Sequence, residues 1–155
     1  MTRSVPAALN LKAFLPYRLS IVTNKVSSKL ASMYSEKFDL SIAEWRVMAV
    51  LGQQSDLSAD EVCHETEMDK VTVSRAVTKL LKKEFLERSF SNEDRRRSIL
   101  CLSERGYSIY TQIIPLALSF EESLLSALTA REVQQLDTLL MKLNQQAEKL
   151  PESGG

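Results

Sequence analysis

The chain has 155 residues, 44% of them hydrophobic and 26% charged, and its 20 basic and 20 acidic side chains give a formal net charge of zero. That length suits one domain with at most an added oligomerisation element, and the four glycines and four prolines favour helices over a sheet-rich fold. No apolar run approaches the roughly 18 residues of a membrane span, Lys12 interrupts any signal-peptide core, and two cysteines with one histidine give neither a disulfide framework nor a zinc site, so a cytoplasmic protein without metal or cofactor is expected.

The helix starts are legible. A first helix is expected from about 16 to 38, with Pro16 acceptable in its first turn. "LSIAEW" then offers Ser41 as N-cap with Glu44 three residues on, a capping box flanked by the staple pair Leu40 and Trp45. It predicts a second helix over 42–53. "LSADEV" repeats the device with Ser58 and Glu61, and a third helix follows over 59–67. "MDKVTV" is a partial version in which Asp69 caps a fourth helix over 70–83. The period then changes. "LERSF" and "SILCL" are short strand-like runs around the polar "SNEDRRR", and they read as a two-stranded hairpin. A long helix over 104–128 contains Pro115, which predicts a kink or break. "LTAREV" opens a last helix over 130–148 with Thr129 and Glu132 as its box, and "PESGG" reads as a frayed tail.

Helix, helix, helix, hairpin is the order of a winged helix-turn-helix. The expected fold class is mainly α with a small β-hairpin wing, flanked by N- and C-terminal dimerisation helices. The division is 1–38, 39–105 and 106–155. Zero net charge conceals a block pattern: +5 over 1–37, −7 over 38–69, +5 over 70–97 and −3 over 106–155. The second basic block falls on the fourth helix and the hairpin, which points to a polyanion partner.

On a helical wheel Val73, Ala76, Val77, Leu80 and Leu81 form the buried stripe of the fourth helix. Val71, Arg75, Thr78, Lys79 and Lys82 face the other way. Its N-terminal end carries Val71, Thr72, Ser74 and Arg75. Short side chains permit close approach to a major groove, an arginine suits guanine edges and a methyl suits thymine. Lys70, Lys79, Lys82 and Lys83 are then phosphate contacts. The three consecutive arginines Arg95, Arg96 and Arg97 repel one another in a free turn. They make sense against phosphates or in a minor groove, with Asp94 holding one of them in a bidentate pair.

At these residues the sequence resembles the MarR family of winged-helix transcriptional regulators. The resemblance rests on "DKVTVSRAVTKLLKK…LER" and on "DRRRSILCLSERG". The family's wing pattern falls on Asp94, Arg96, Leu100, Leu102, Ser103 and Gly106. It implies that Arg96 enters the minor groove with Asp94 as its positioning partner. It also implies a homodimer that binds a palindromic double-stranded DNA operator, as a repressor released by a small effector. One departure is visible: Glu84 stands where the family often has glycine, so the recognition helix ends either on a strained cap or in another way. Independently, Leu136, Leu139, Leu140, Leu143 and Ala147 form an apolar stripe remote from the 41–103 core, as a dimer helix would.

"YRLSIVTNKVSSKL" and "FDLSIAEWRVMAVL" resemble the branch that senses aromatic carboxylates, such as hydroxycinnamates, or their coenzyme A thioesters. That resemblance implies an effector site among Tyr17, Arg18, Asn24, Ser28, Trp45, Arg46, Tyr107 and Tyr110, with Trp45 as a ring wall and Arg46 as a carboxylate partner. Trp45 also reads simply as core. Cys63 reads as a small buried hydrophobe, and Cys101 as more exposed from its strand parity. Competing readings are a dimeric helical adaptor that binds protein, and a redox sensor acting through Cys63 or Cys101. Catalysis is not expected: His64 directly follows Cys63 in a helical pattern, and adjacent helical residues do not face each other.

Overall fold

The computed structural model describes residues 8–152. Six helices and one hairpin follow in the order α1 Leu15–Phe38, α2 Ile42–Gln53, α3 Ala59–Thr66, α4 Lys70–Lys82, β1 Leu86–Phe90, β2 Ser98–Leu102, α5 Glu104–Leu125 and α6 Ala130–Lys149. This is the expected mainly helical architecture with a wing. β1 and β2 pair antiparallel, Leu86 opposite Leu102 and Phe90 opposite Ser98. A bridge from Leu57 to Leu100 lays the α2–α3 connection along the free edge of β2.

The chain forms two compact units, one ending at Thr111 and the other beginning at Gln112. The core of the first is built from Tyr34, Leu40, Val47, Met48, Leu51, Val62, Val73, Val77, Leu80, Phe85, Leu86 and Leu100, all nearly inaccessible. The start of α5 belongs to this unit because its tyrosines join an aromatic row. Trp45 lies 5.4 Å from Tyr34 and 5.8 Å from Tyr110, and Tyr110 lies 6.0 Å from Tyr107, centroid to centroid. Gly52 makes room for this row: a Cβ there would stand 2.5 Å from the Tyr110 ring. Pro115 does not break α5, which continues to Leu125. Proline has no amide to donate to the Thr111 carbonyl four residues earlier, and the helix runs through the position without that bond.

Of the three capping boxes expected, two form in full. Ser58 and Glu61 exchange bonds at the start of α3, and Thr129 and Glu132 do so at the start of α6. The Ser41–Glu44 box is only half made. Ser41 Oγ accepts the Glu44 amide at 3.1 Å, but the Glu44 carboxylate turns inward, with its side chain only 4% exposed, and meets Lys83 Nζ at 2.7 Å. A buried carboxylate is drawn to the nearest cation before it serves a solvent-facing amide.

Glu84 is the second departure from local expectation. Its φ is 60°, so it takes the left-handed conformation where a glycine would be unstrained. An L side chain there costs about 1–2 kcal/mol. Glu84 stays because its carbonyl accepts Ser103 Oγ at 2.6 Å and its amide reaches the Leu81 carbonyl at 3.0 Å. Glu84→Gly should therefore raise stability, by about 0.5–1 kcal/mol after the added freedom of the unfolded chain is counted. Chemical denaturation checks this, and a fall in midpoint would show that the Glu84–Arg105 contact at 3.5 Å outweighs the strain.

Candidate nucleic-acid interface

The first turn of α4 is held open by its cap. Asp69 Oδ1 accepts the Thr72 amide at 2.8 Å, and Thr72 Oγ1 donates to Asp69 Oδ2 at 2.7 Å. The bond from the Thr72 amide, followed by the one from its hydroxyl, holds the Asp69 carboxyl below its ordinary value. Val73, Ala76, Val77 and Leu80 are buried, while Val71 is 59% exposed. Ser74, Arg75, Lys79 and Lys82 also point to solvent, and Thr72 is half-buried. Arg75, Lys79 and Thr72 share a notch of about 190 Å³ with Ser41, Ala43 and Ala76, so the exposed face of α4 runs on into the start of α2.

The wing turn is closed by backbone. The Ser91 amide donates to the Arg97 carbonyl and the Arg97 amide to the Asp94 carbonyl, both at 2.9 Å. Asp94 Oδ1 accepts the Arg96 amide at 2.9 Å. Asp94 thus fixes the main chain that carries Arg96, in place of the bidentate guanidinium pair expected from sequence. A carboxylate two residues before an amide closes a short local ring with little entropy lost.

The triplet is not equivalent. Arg97 reaches back 36 positions to α3, where its Nη2 meets Glu61 Oε1 at 2.5 Å. The same carboxylate accepts the Ser58 amide through Oε2 at 2.7 Å. The Arg97 hydrogen bond, then those from Ser58, pull the Glu61 carboxyl down to about 2. Lys83 is also withdrawn from its expected place among the phosphate contacts. Its Nζ bonds Glu44 and the Asp39 carbonyl and lies 3.7 Å from the Asp39 carboxylate. Lys70 sits 3.6 Å from Asp60, an exposed and weak contact. By contrast Arg75, Lys79, Lys82, Arg95 and Arg96 carry no ion pair among the described residues.

Behind the wing, β2 leads into α5 through a tight junction. Leu100 is buried; Leu102 is partly so. The Ser103 amide donates to the Phe85 carbonyl at 3.0 Å, and Ser103 Oγ accepts the Gly106 amide at 2.9 Å. A Cβ on Gly106 would lie 1.9 Å from the Phe85 carbonyl oxygen. The spacing Leu-x-Leu-Ser-x-x-Gly is thus a packing requirement: two inward leucines, a cap and a glycine against backbone.

These features agree with what the chain is similar to. The sequence profile of the MarR family matches residues 38–97. A MarR/EmrR family transcriptional regulator from Acinetobacter sp. ADP1 superposes with a TM-score of 0.84 at 30% identity, over 92% of this chain and 100% of that one. The chain belongs to the MarR family. Its relatives include the HTH-type transcriptional regulator BilQ of Clostridium symbiosum, 29% identical over 73% of this chain and 78% of BilQ. BpsR of Bordetella bronchiseptica, whose DNA binding is regulated by 6-hydroxynicotinic acid, shares the fold with a TM-score of 0.81 at 20% identity, over 89% of this chain and 98% of its own. As a MarR-family protein the chain is a transcriptional regulator and not an enzyme.

Of the eight effector residues expected, the structure brings Trp45, Tyr107 and Tyr110 into one row and adds Tyr34, which the sequence reading missed. No local periodicity marks Tyr34, because its partners come from α2. Burial raises the Tyr34 hydroxyl pKa, and the nearby Arg46 charge lowers it in part. Tyr17, Arg18, Asn24 and Ser28 are exposed along α1, and Arg46 is exposed on α2. Both cysteines are partly buried and free. Burial, then the Glu87 and Asp56 charges, push the Cys101 thiol upward, away from the thiolate that redox chemistry needs.

Proposed function

We propose that the protein is a homodimeric, ligand-responsive repressor that reads a palindromic operator. On this reading α4 enters the major groove through Val71, Thr72, Ser74 and Arg75. Lys70, Lys79 and Lys82 touch phosphates, and the wing over 90–98 lays Arg96 in the minor groove with Arg95 beside it. The carrying observation is the distribution of acids. Carboxylates hold Arg97 and Lys83 back and touch Lys70 only weakly at the surface, while Arg75, Lys79 and Lys82 on one helix face and Arg95 and Arg96 at the wing tip form a cluster of exposed cations with no ion pair among the described residues. Unpaired cations clustered with an exposed valine on a helix N-terminal turn fit a groove and its phosphates.

Dimerisation is supported by apolar surface on both terminal segments. Leu136, Leu139, Leu140 and Leu143 of α6 are 37–56% exposed, and Leu15, Leu19 and Val22 of α1 are 41–60% exposed. An effector of aromatic-acid type, free or as its coenzyme A thioester, is supported by the row Tyr34–Trp45–Tyr110–Tyr107 beside Arg46, and by the aromatic acid that regulates BpsR.

Selection of a random duplex library on the purified protein, repeated with a panel of aromatic acids, tests this. A two-fold symmetric motif should emerge and weaken with an active acid. Arg75→Ala should reduce operator affinity by roughly 1–3 kcal/mol and relax one base per half-site. Asp94→Ala should also weaken operator binding, although it removes a negative charge beside DNA, because the Arg96 main chain loses its anchor. Tighter binding by Asp94→Ala would show that the wing acts only as a charge cluster.

A further inference from the structure

The arginine triplet contains one member that is not free. Arg95 and Arg96 are exposed without ion pairs, while Arg97 is tied to Glu61, whose second carboxylate oxygen is committed to the α3 capping box. The bond crosses from a loop to a helix terminus. Its loop end sits where the wing turn closes, because the Arg97 amide and carbonyl make the turn's own bonds to Asp94 and Ser91. A groove of about 430 Å³ lined by Ser58, Ala59, Asp60, Arg96, Arg97 and Ser98 separates the two elements, so apolar packing does not fill the space there. Glu61 is itself rigid: its backbone is the third residue of α3, and its amide donates to Ser58 Oγ at 3.2 Å.

We infer that Glu61 is a positioning residue for DNA reading: by holding Arg97 against α3 it sets the angle of the wing and presents Arg96 to the operator. The inference rests on the DNA-reading function proposed above. Arg97 then contributes orientation where its neighbours contribute contact. A free hairpin with three arginines would bind any duplex through phosphate and discriminate poorly. Withdrawing one arginine lowers non-specific attraction, and fixing the wing makes the remaining contacts depend on register. The pairing also survives acid. A carboxyl whose folded pKa is depressed stays charged above its folded value, so the tether is lost only as pH falls towards about 2.

The test compares Glu61→Gln, Arg97→Gln and the double variant. Glutamine keeps the capping box, since it serves at that position as glutamate does. Each protein is titrated with operator and with random duplex across a salt series. Glu61→Gln releases Arg97 to phosphate, so random-duplex affinity should rise about eightfold at 0.1 M salt, and the salt slope should steepen by about 0.9. Operator affinity should not keep pace, so the operator-to-random ratio should fall about fivefold, taking most of that rise as unmatched. Arg97→Gln should lower the ratio equally without raising random binding, and the double variant should be no worse than either single one. A simple charge effect would raise operator and random binding in step, and an idle surface pair would move neither; both results would overturn the proposal. So would a fall in operator and random affinity together for Arg97→Gln, which would make Arg97 a contact residue. Amide hydrogen exchange at Arg97 provides a readout without DNA. It should accelerate in Glu61→Gln, and unchanged exchange would also overturn the tether. If exchange accelerates but the wild type binds no duplex, the DNA-reading function fails while the tether stands.

Discussion

Gly106→Ala should destabilise the protein by about 3 kcal/mol or more, at the upper end of overpacking costs, and lower its melting temperature by about 10 °C. The added methyl would sit 1.9 Å from the Phe85 carbonyl oxygen. That oxygen cannot move away cheaply, because it already accepts the Ser103 amide at 3.0 Å. Relief requires α5 to shift off the start of β1, which would open the Ser103 bonds to Gly106 and Glu84. Gly52→Ala is the control. The nearest atoms to its methyl would be those of the Tyr110 ring, at 2.5 Å, and a ring on a rotatable side chain can swing aside. The expected order is therefore a large loss at Gly106 and a smaller one at Gly52, where the loss falls on the aromatic row. Thermal melts of the two variants decide it. A Gly106→Ala protein melting within two degrees or so of wild type would mean that the junction is far more pliable than its bonds imply.

What could be read in advance follows from the range of each interaction. Helix starts and the stripe Val73, Ala76, Val77 and Leu80 depend on residues within four positions of their neighbours, and the hairpin, though it pairs Leu86 with Leu102, is marked by two short strand-like runs around a polar turn; all appear where sequence places them. Ser58–Glu61 and Ser41–Glu44 are identical motifs with different outcomes. The difference lies 39 residues away in Lys83, which captures Glu44, and 36 residues away in Arg97, which shares Glu61 without breaking its box. Nothing local distinguishes Arg97 from Arg95 or Arg96. The special one is identified only when α3 and the wing are brought together. The aromatic row shows the same limit of local reading. Trp45, Tyr107 and Tyr110 stand out by composition, but Tyr34 enters only through the packing of α1 on α2. Glu84 was visible as an oddity at the end of α4, and its φ of 60° is the strained cap that the missing glycine foretold as one of two endings.

Lys83→Met should cost about 3 kcal/mol, the low end for breaking a buried ion pair by removing one partner. The low end applies because the Lys83 side chain is 26% exposed, whereas that of Glu44 is 4% exposed and would be left a buried charge with the Ser41 hydroxyl, at 3.1 Å, as its hydrogen-bond donor. The loss should not be confined to stability. Lys83 caps the end of α4, and its ammonium binds both Glu44 at the start of α2 and the carbonyl of Asp39. Asp39 is the left-handed cap of α1, with φ 52°. One side chain therefore ties the ends of three helices around the base of the proposed recognition helix. Replacing both partners separates charge from geometry. In Lys83→Met with Glu44→Leu the unpaired charge is gone, so stability should return to within about 1 kcal/mol of wild type or exceed it. The tie from α4 to the Asp39 carbonyl stays broken in that double variant. Operator affinity should then remain below wild type even where stability has recovered, since α4 is held by packing alone. Chemical denaturation and operator titration of the three proteins give the answer. A Lys83→Met protein as stable as wild type would show that solvent reaches Glu44, and a double variant with full operator affinity would show that the tie does not orient the helix.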